Sequence, residues 1–261
     1  MRSPLIEAAC AFRLSLDAAG RAGAENMAID AELLDRADGT GASFLRLYRF
    51  DPPCLSLGRN EPAARYDHTE IARRGLDVVR RPTGGRAVWH EHEVTYAVAA
   101  PLAAFGSLRN AYHTVHERIA AALRSLGAGA TLAPYQLPPS GRVDQPASCF
   151  ATPVGGEVLV GGRKLVGSAQ VRKRTAFLQH GSILLDGSQE VVTAISRKPQ
   201  AASAETTLAR ALGRPVTFEE VADAIVAAWG DEVTSPNLHQ PPPTSATLLS
   251  HLAPLGIGVK S

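Results

Sequence analysis

The spacing of hydrophobic and polar positions changes several times along the chain, and each change predicts an element. "AFRLSLD" (11–17) alternates and predicts a strand, because successive strand residues point to opposite faces. "GAENMAIDAELLDRADG" (23–39) takes helical spacing: Ile29, Leu33 and Leu34 share a face, and Gly39 can cap the end. "SFLRLYRF" (43–50) predicts a strand with Leu45, Leu47 and Arg49 on one side. Pro52-Pro53 forces a turn before another strand, "CLSLG". "DHTEIARRG" (67–75) predicts a short helix with Asp67 and Glu70 in capping-box positions and Gly75 at its end. Two short β-like steps, at 77–79 and 87–89, then flank a segment rich in arginine and glycine.

"EVTYAVAA" (93–100) follows as a strand. "SLRNAYHTVHERIAAALRSLG" (107–127) is the clearest helix, with Tyr112, Val115, Ile119, Ala122 and Leu126 on one stripe. A Pro-rich loop carrying Cys149 leads into "EVLVGGRKLVGSAQ" (157–170). This predicts a β-hairpin whose Gly161-Gly162 pair suits a tight primed turn. "AFLQHGSILLD" (176–186) predicts a strand interrupted at Gly181. Thr217 and Glu220 frame a capping box before Phe218, Val221, Ile225 and Trp229, with Gly230 as the stop. Strands with helices between some of them predict an α+β domain over 1–230 with a mixed, largely antiparallel sheet and packed helices. The absence of regular βαβ alternation and of G-x-G-x-x-G argues against a dinucleotide-binding fold. Residues 231–261, with "PNLHQPPPTSATLL", predict a weakly structured C-terminal tail.

Composition narrows the function classes. The 261 residues are 45% hydrophobic and 20% charged, enough to bury a sizeable core. With 27 basic against 25 acidic side chains the net charge is +2, too balanced for a general nucleic-acid binder. The start shows no continuous apolar stretch of a secretory signal, and the most apolar run, 94–105, is too short to span a bilayer and contains Pro101. The expectation is a cytoplasmic protein with no membrane partner. Cys10, Cys54 and Cys149 are sparse and lack C-x-x-C spacing, so neither a disulfide framework nor a metal site is expected.

The chemistry concentrates in three places. In "RRPTGGR", Arg80, Arg81 and Arg86 surround Thr83, Gly84 and Gly85; guanidinium groups beside glycine N–H groups suit an anion or an acyl carbonyl. Cys10 and Cys54 read as small buried hydrophobes, whereas Cys149 lies in a loop next to the hairpin, where a thiolate could attack an acyl carbonyl if a cation lowered its pKa. Lys164 is that cation: if Arg163 faces water, Lys164 faces inward, where an ammonium needs a job or a partner. The histidines are weaker signals. His90 and His92 alternate on one face and Glu91 and Glu93 on the other, suggesting a polar sheet edge near the loop. His113 and His116 read as a solvated helix face, and His180 as a satisfied core histidine.

"RRPTGGRAVWHEHEVTYAV" followed by "CF…EVLVGGRKLVGSAQVRK…FLQHGSILLD" resembles the lipoate/biotin protein ligase and octanoyltransferase family. The resemblance runs from about Asn26 to Asp186, and more loosely to Trp229. It is closest to the cysteine-dependent, LipM-type octanoyltransferases, which share Gly-Gly-Arg after the arginine pair and a Cys-Phe pair ahead of the Gly-Arg-Lys hairpin. It implies the biotin/lipoate protein ligase-like catalytic fold and transfer of octanoyl from acyl carrier protein. The implied acceptor is a lysine of a lipoyl domain of a 2-oxoacid dehydrogenase or of the glycine-cleavage H protein. It implies Cys149 as nucleophile and Lys164 as its catalytic partner, with no cofactor and no ATP. The implied substrate-binding set is Arg80, Arg81, Thr83, Gly84, Gly85, Arg86, His90, Gly167, Ser168, Ala169 and His180. Arg80, Arg81, Arg172, Lys173 and Arg174 would receive the acidic carrier. Two departures from the family pattern, Gly155-Gly156 before Glu157 and Trp89 after Ala-Val, suggest an altered pocket. Other readings are an ATP-dependent lipoate–protein ligase with Cys149 incidental, an amidotransferase between protein lysines, and a non-catalytic sensing or nucleic-acid module.

Overall fold

The computed structural model describes residues 11–134, 150, 155–198 and 205–234. The alternating and apolar segments become strands β1 (Phe12–Arg21), β2 (Ser43–Phe50), β3 (Cys54–Leu57), β4 (Asp77–Arg80), β5 (Val88–His90) and β6 (Glu93–Pro101). They continue with β7 (Ala130–Leu132), β8 (Val158–Val160), β9 (Arg163–Lys164), β10 (Val166–Arg172), β11 (Ala176–Leu184) and β12 (Val233–Thr234). The helical segments are α1 (Gly23–Thr40), α2 (His68–Arg73), α3 (Leu108–Ser125), α4 (Glu190–Ala194), α5 (Leu208–Leu212) and α6 (Phe218–Trp229). The main sheet has the order β10-β11-β6-β2-β1-β12. Its first three pairings are antiparallel, and β1 runs parallel to both β2 and β12. Two smaller sheets, β4-β3-β5 and β7-β8-β9, complete the mixed, largely antiparallel α+β fold.

Helices cover both faces of the main sheet. α3 and α6 pack with Tyr96, Val98, Phe177 and Ile183 on one face. Met27, Leu33, Leu34 and Ala37 of α1 pack with Ala97, Ala99 and Leu178 on the other. That is why β6 and β11 are buried along almost their whole length, polar positions included.

Most local expectations hold. Asp67 caps α2 by accepting from Thr69 N and Glu70 N, and Gly161 and Gly162, both at positive φ, make the predicted hairpin turn. Four expectations change. The left-handed residue closing α1 is Gly41, and Gly39 lies inside the helix. The Glu70 carboxylate reaches forward to Arg73 and Arg74, so only half of that capping box forms. Gly181 does not interrupt β11: it pairs with both Tyr96 and Ser168 in unbroken register. Asp231 and Glu232 continue α6 in a short 3-10 turn, and Val233–Thr234 form an edge strand on β1; the rest of the expected tail lies outside the described residues.

A charged side chain anchors α1 to the sheet. Arg46 of β2 is fully buried between them. Its guanidinium donates to Asp17 Oδ2 at 2.9 Å, Asp30 Oδ1 at 3.1 Å and Asn26 Oδ1 at 2.7 Å, and it lies 3.8 Å from the Tyr48 ring centroid. Removing one member of such a group leaves a buried charge without its counter-charge. Arg46→Ala is therefore expected to lower the unfolding free energy by about 3–5 kcal/mol in a urea titration; a loss under about 1 kcal/mol would show that this cluster does not anchor α1.

Candidate functional site

The arginine segment folds as a self-bound loop between β4 and β5. Arg80 Nη1 donates to the carbonyl oxygens of Gly58 at 2.6 Å, Glu61 at 2.9 Å and Arg59 at 3.2 Å. Arg81 is buried; its Nη1 donates to Ser56 O and Ser56 Oγ, both at 2.8 Å, and its Nη2 to Gly84 O at 3.0 Å and Arg86 O at 2.8 Å. The expected anion grip is thus corrected for Arg81, whose guanidinium shapes the loop from inside. The chain passes so close at Gly58 that a Cβ there would stand 2.1 Å from Gly85 O, so only glycine fits. Arg59 is exposed at the loop rim, and Arg80 and Arg86 are half-buried there.

Two histidines beneath the loop each join an acceptor to a hydroxyl. His180 Nδ1 is 2.8 Å from Asp30 Oδ2, and its Nε2 is 2.7 Å from Thr83 Oγ1. Burial lowers the His180 pKa, outweighing Asp30. Burial would raise the Asp30 carboxyl, but hydrogen bonds from His180 and Tyr48 and the charge of Arg46 hold it below the usual carboxylate range. The two directions agree with a neutral imidazole donating Nδ1–H to a charged carboxylate. His90 Nδ1 is 2.7 Å from Glu93 Oε1 and its Nε2 is 2.6 Å from Ser56 Oγ, with the ring stacked 4.1 Å from Phe50. Thr95 and Ser182 hydroxyls also donate to Glu93. The expected sharing of faces by His90 and His92 does not occur, because β5 ends at His90 and the chain turns before β6. His90 and Glu93 point inward together, and His92 and Glu91 face solvent.

A cavity opens where these groups meet the main sheet. Gly167, Ser168 and Ala169 of β10 and His180, Gly181 and Ser182 of β11 line it, with Thr95, Tyr48, Phe50, Val88 and Met27. Arg81 and His90 complete the lining. Of the sequence-predicted binding residues, Arg81, His90, Gly167, Ser168, Ala169 and His180 line it and Thr83 is buried behind His180, whereas Arg80, Gly84, Gly85 and Arg86 are not among the lining residues. Trp89 is not among the lining residues: it packs with Leu55, Leu57 and Tyr66 in a separate cluster, so the expected effect on the pocket is not seen.

Lys164 points inward, as the alternation predicts, and is fully buried. Its Nζ donates to Glu157 Oε1 at 2.6 Å, with both side chains at 2% exposure or less. Glu157 is a site residue that the sequence reading missed. Cys149 lies outside the described residues, but its neighbour Phe150 is fully buried with its ring centroid 5.4 Å from Lys164 Nζ. The same ring fills the space over Gly167, where a Cβ would stand 2.9 Å from it. His116 was also missed. It is fully buried and bonds to Ser168, Gly156 and Tyr96 rather than to solvent. Its spacing from Tyr112 and Ile119 put it beside the apolar stripe, which was the available signal.

The expected carrier surface divides. Arg172, Lys173 and Arg174 sit at the end of β10 remote from Lys164, about 20 Å away along the strand direction. Lys173 pairs with Asp35 and Arg174 with Asp38 of α1. Cys54 is buried in the core, as expected, and burial pushes its thiol far up. Among the described residues no group of three or more His, Cys, Asp or Glu side chains could hold a metal ion, and no helix is long and apolar enough to cross a membrane.

Comparison with known proteins gives the same architecture. The lipoate-protein ligase A crystal structure bound with ATP aligns with a TM-score of 0.72 at 20% identity, over 93% of this chain and 94% of that one. A bipartite lipoate protein ligase of Thermoplasma acidophilum aligns with a TM-score of 0.68 at 18% identity, over 93% and 91%. In sequence, octanoyltransferase LipM of Kyrpidia tusciae is 38% identical over 223 residues, covering 79% of this chain and 81% of the relative. Octanoyltransferase LipM of Moorella thermoacetica is 41% identical over 203 residues, covering 75% and 73%. The family model described as the lipoyl protein ligase A/B catalytic domain matches residues 22–230, and the chain belongs to that family.

Proposed function

We propose that the protein is an octanoyltransferase that works through a thioester on Cys149. Octanoyl is taken from acyl carrier protein and delivered to a lysine of a lipoyl domain or of the glycine-cleavage H protein. The sequence similarity to LipM octanoyltransferases over most of both chains supports the activity. The observation that carries the mechanism is the buried Lys164–Glu157 pair beside Phe150, the residue that follows Cys149. The Phe150 ring lies between this ammonium and Gly167 of the cavity wall, so a thiolate next to Phe150 would have a cation on one side and an apolar-walled cavity on the other.

The reaction follows from these groups. The Cys149 thiolate attacks the carrier thioester; the C–S bond to the carrier breaks, and the carrier sulfur leaves as a thiolate that takes a proton from water. Lys164 stabilises the thiolate and the oxyanion of the tetrahedral intermediate. The acceptor amine then attacks the octanoyl-enzyme, forming the C–N bond and releasing the cysteine sulfur. The acyl group arrives activated as a thioester, so the transfer draws on no ATP. The chain is seated between Met27, Tyr48, Phe50 and Val88. The rim arginines Arg59, Arg80 and Arg86 steer the acidic carrier.

Intact-protein mass spectrometry after mixing with octanoyl-acyl carrier protein, without ATP, should show one octanoyl adduct that hydroxylamine removes. Cys149→Ala should show none, and comparable transfer by that variant would sink the assignment. Lipoate activation that appears only with ATP and magnesium, with no adduct, would move the protein to the ligase class. Lys164→Met should slow adduct formation by about 100-fold or more. Raising the ionic strength should slow carrier association, and Arg59→Glu should slow it roughly tenfold at low salt while single-turnover chemistry stays unchanged. Association independent of both would remove the rim from carrier recognition.

A further inference from the structure

His116 is buried in the middle of α3, and the reaction above gives it no task. Its two ring nitrogens meet different partners. Nδ1 is 2.7 Å from the Gly156 carbonyl oxygen, which can only accept, so Nδ1 carries the proton. Burial drives the imidazole pKa down to about 3; the Gly156 carbonyl opposes this and the Lys164 charge adds to it. Near neutral pH the ring is uncharged and Nε2 accepts. The Ser168 hydroxyl lies 2.8 Å from Nε2 and Tyr96 OH 3.1 Å from it, with 2.7 Å between the two hydroxyls. Gln179 Nε2 donates to Tyr96 OH at 3.0 Å, and Gln170 Nε2 to Gln179 Oε1 at 2.9 Å. Donation therefore runs one way, from the Gln170 amide toward the imidazole.

The placement of these partners matters. Gly156 immediately precedes Glu157, and Ser168 follows Lys164 on the next strand, so one side chain holds the chain on both sides of Lys164. Gly156 adopts φ +86°, a conformation that favours glycine. Tyr112, one turn earlier on α3, meets the His116 ring edge-on at 4.2 Å, and its hydroxyl is 3.5 Å from Glu157 Oε1. Helix α3 thus touches the Gly156–Glu157 corner at its carbonyl and at its carboxylate.

We propose that His116 is a positioning residue of the acyl-transfer site, its Nδ1–H bond to Gly156 setting the backbone from which Glu157 reaches Lys164. This inference rests on the reading of Lys164 as the catalytic cation. A shift of the corner by about 1 Å breaks the short Glu157–Lys164 contact, and misplacement of that size slows enzymes by about 100-fold.

The test separates positioning from simple packing. His116→Asn retains an N–H donor near the place of Nδ1, whereas His116→Gln puts its amide near the place of Nε2. Both remain polar and are expected to lower the melting temperature by similar amounts. Two readouts are taken on each: the single-turnover rate of octanoyl adduct formation, and acetylation of Lys164 by an N-hydroxysuccinimide ester, mapped by peptide mass spectrometry. The Asn variant should stay within about fivefold of the parent and keep Lys164 protected, while the Gln variant should be slower by about 100-fold and acetylate faster. Equal rates and equal protection in the two variants would overturn the proposal. The labelling readout needs no transfer reaction. A parent protein that forms no adduct, yet shows the labelling contrast, would sink the octanoyl reading and keep the His116 clamp; an adduct in all three without the contrast would sink the clamp alone.

Discussion

An ammonium group cannot stay charged in a protein interior without a counter-charge, and the site is organised around meeting that condition for Lys164. Glu157 supplies the counter-charge at 2.6 Å from the far side of the β8–β9 hairpin. The hairpin exists because Gly161 and Gly162 both accept positive φ, which lets the chain reverse within two residues and set Leu159 opposite Lys164. Lys164 then leads within two residues into β10, whose Gly167 leaves room for the Phe150 ring. Charge pairing, turn geometry and close packing therefore all converge on the segment that begins β10.

A second regularity runs through the buried polar groups. Three imidazoles each present Nδ1 to an oxygen acceptor and Nε2 to a hydroxyl: His90 between Glu93 and Ser56, His180 between Asp30 and Thr83, and His116 between Gly156 and Ser168. Each unit joins segments far apart in sequence, which makes it a directional tie between elements that apolar contacts alone would let slide. For His180 and His116 burial keeps the ring uncharged, so Nε2 can accept the hydroxyl proton. Asp30 gathers the His180, Tyr48 and Arg46 donors and so connects the floor of the cavity to the anchor of α1.

These networks explain what was legible in the sequence. Period and turn chemistry are local, so the hairpin, α3, α6 and the inward direction of Lys164 could be read directly. Partnership is not local. Glu157 is seven residues from Lys164 and reads as an ordinary exposed acid until the strands pair. His116 was assigned to solvent with His113, although it lies beside the stripe of Tyr112 and Ile119; a polar residue next to an apolar stripe is ambiguous until its acceptor is known, and Gly156 lies forty residues away. The same limit explains Arg81: two arginines beside two glycines suggest an anion site, and only the folded loop shows one guanidinium turned onto its own backbone.

The inward turn of Arg81 bears on the chemistry. A ligase must hold a nucleotide's phosphates, and guanidinium groups do this best when their donors point outward in a fork. Here Arg81 gives both terminal nitrogens to Ser56, Gly84 and Arg86, and one terminal nitrogen of Arg80 serves three backbone carbonyls. The loop so braced presents a fixed backbone surface against β10 at Ala169. A fixed backbone wall and a buried cation are what an acyl-transfer site needs, because the work there is to orient a carbonyl and stabilise its oxyanion.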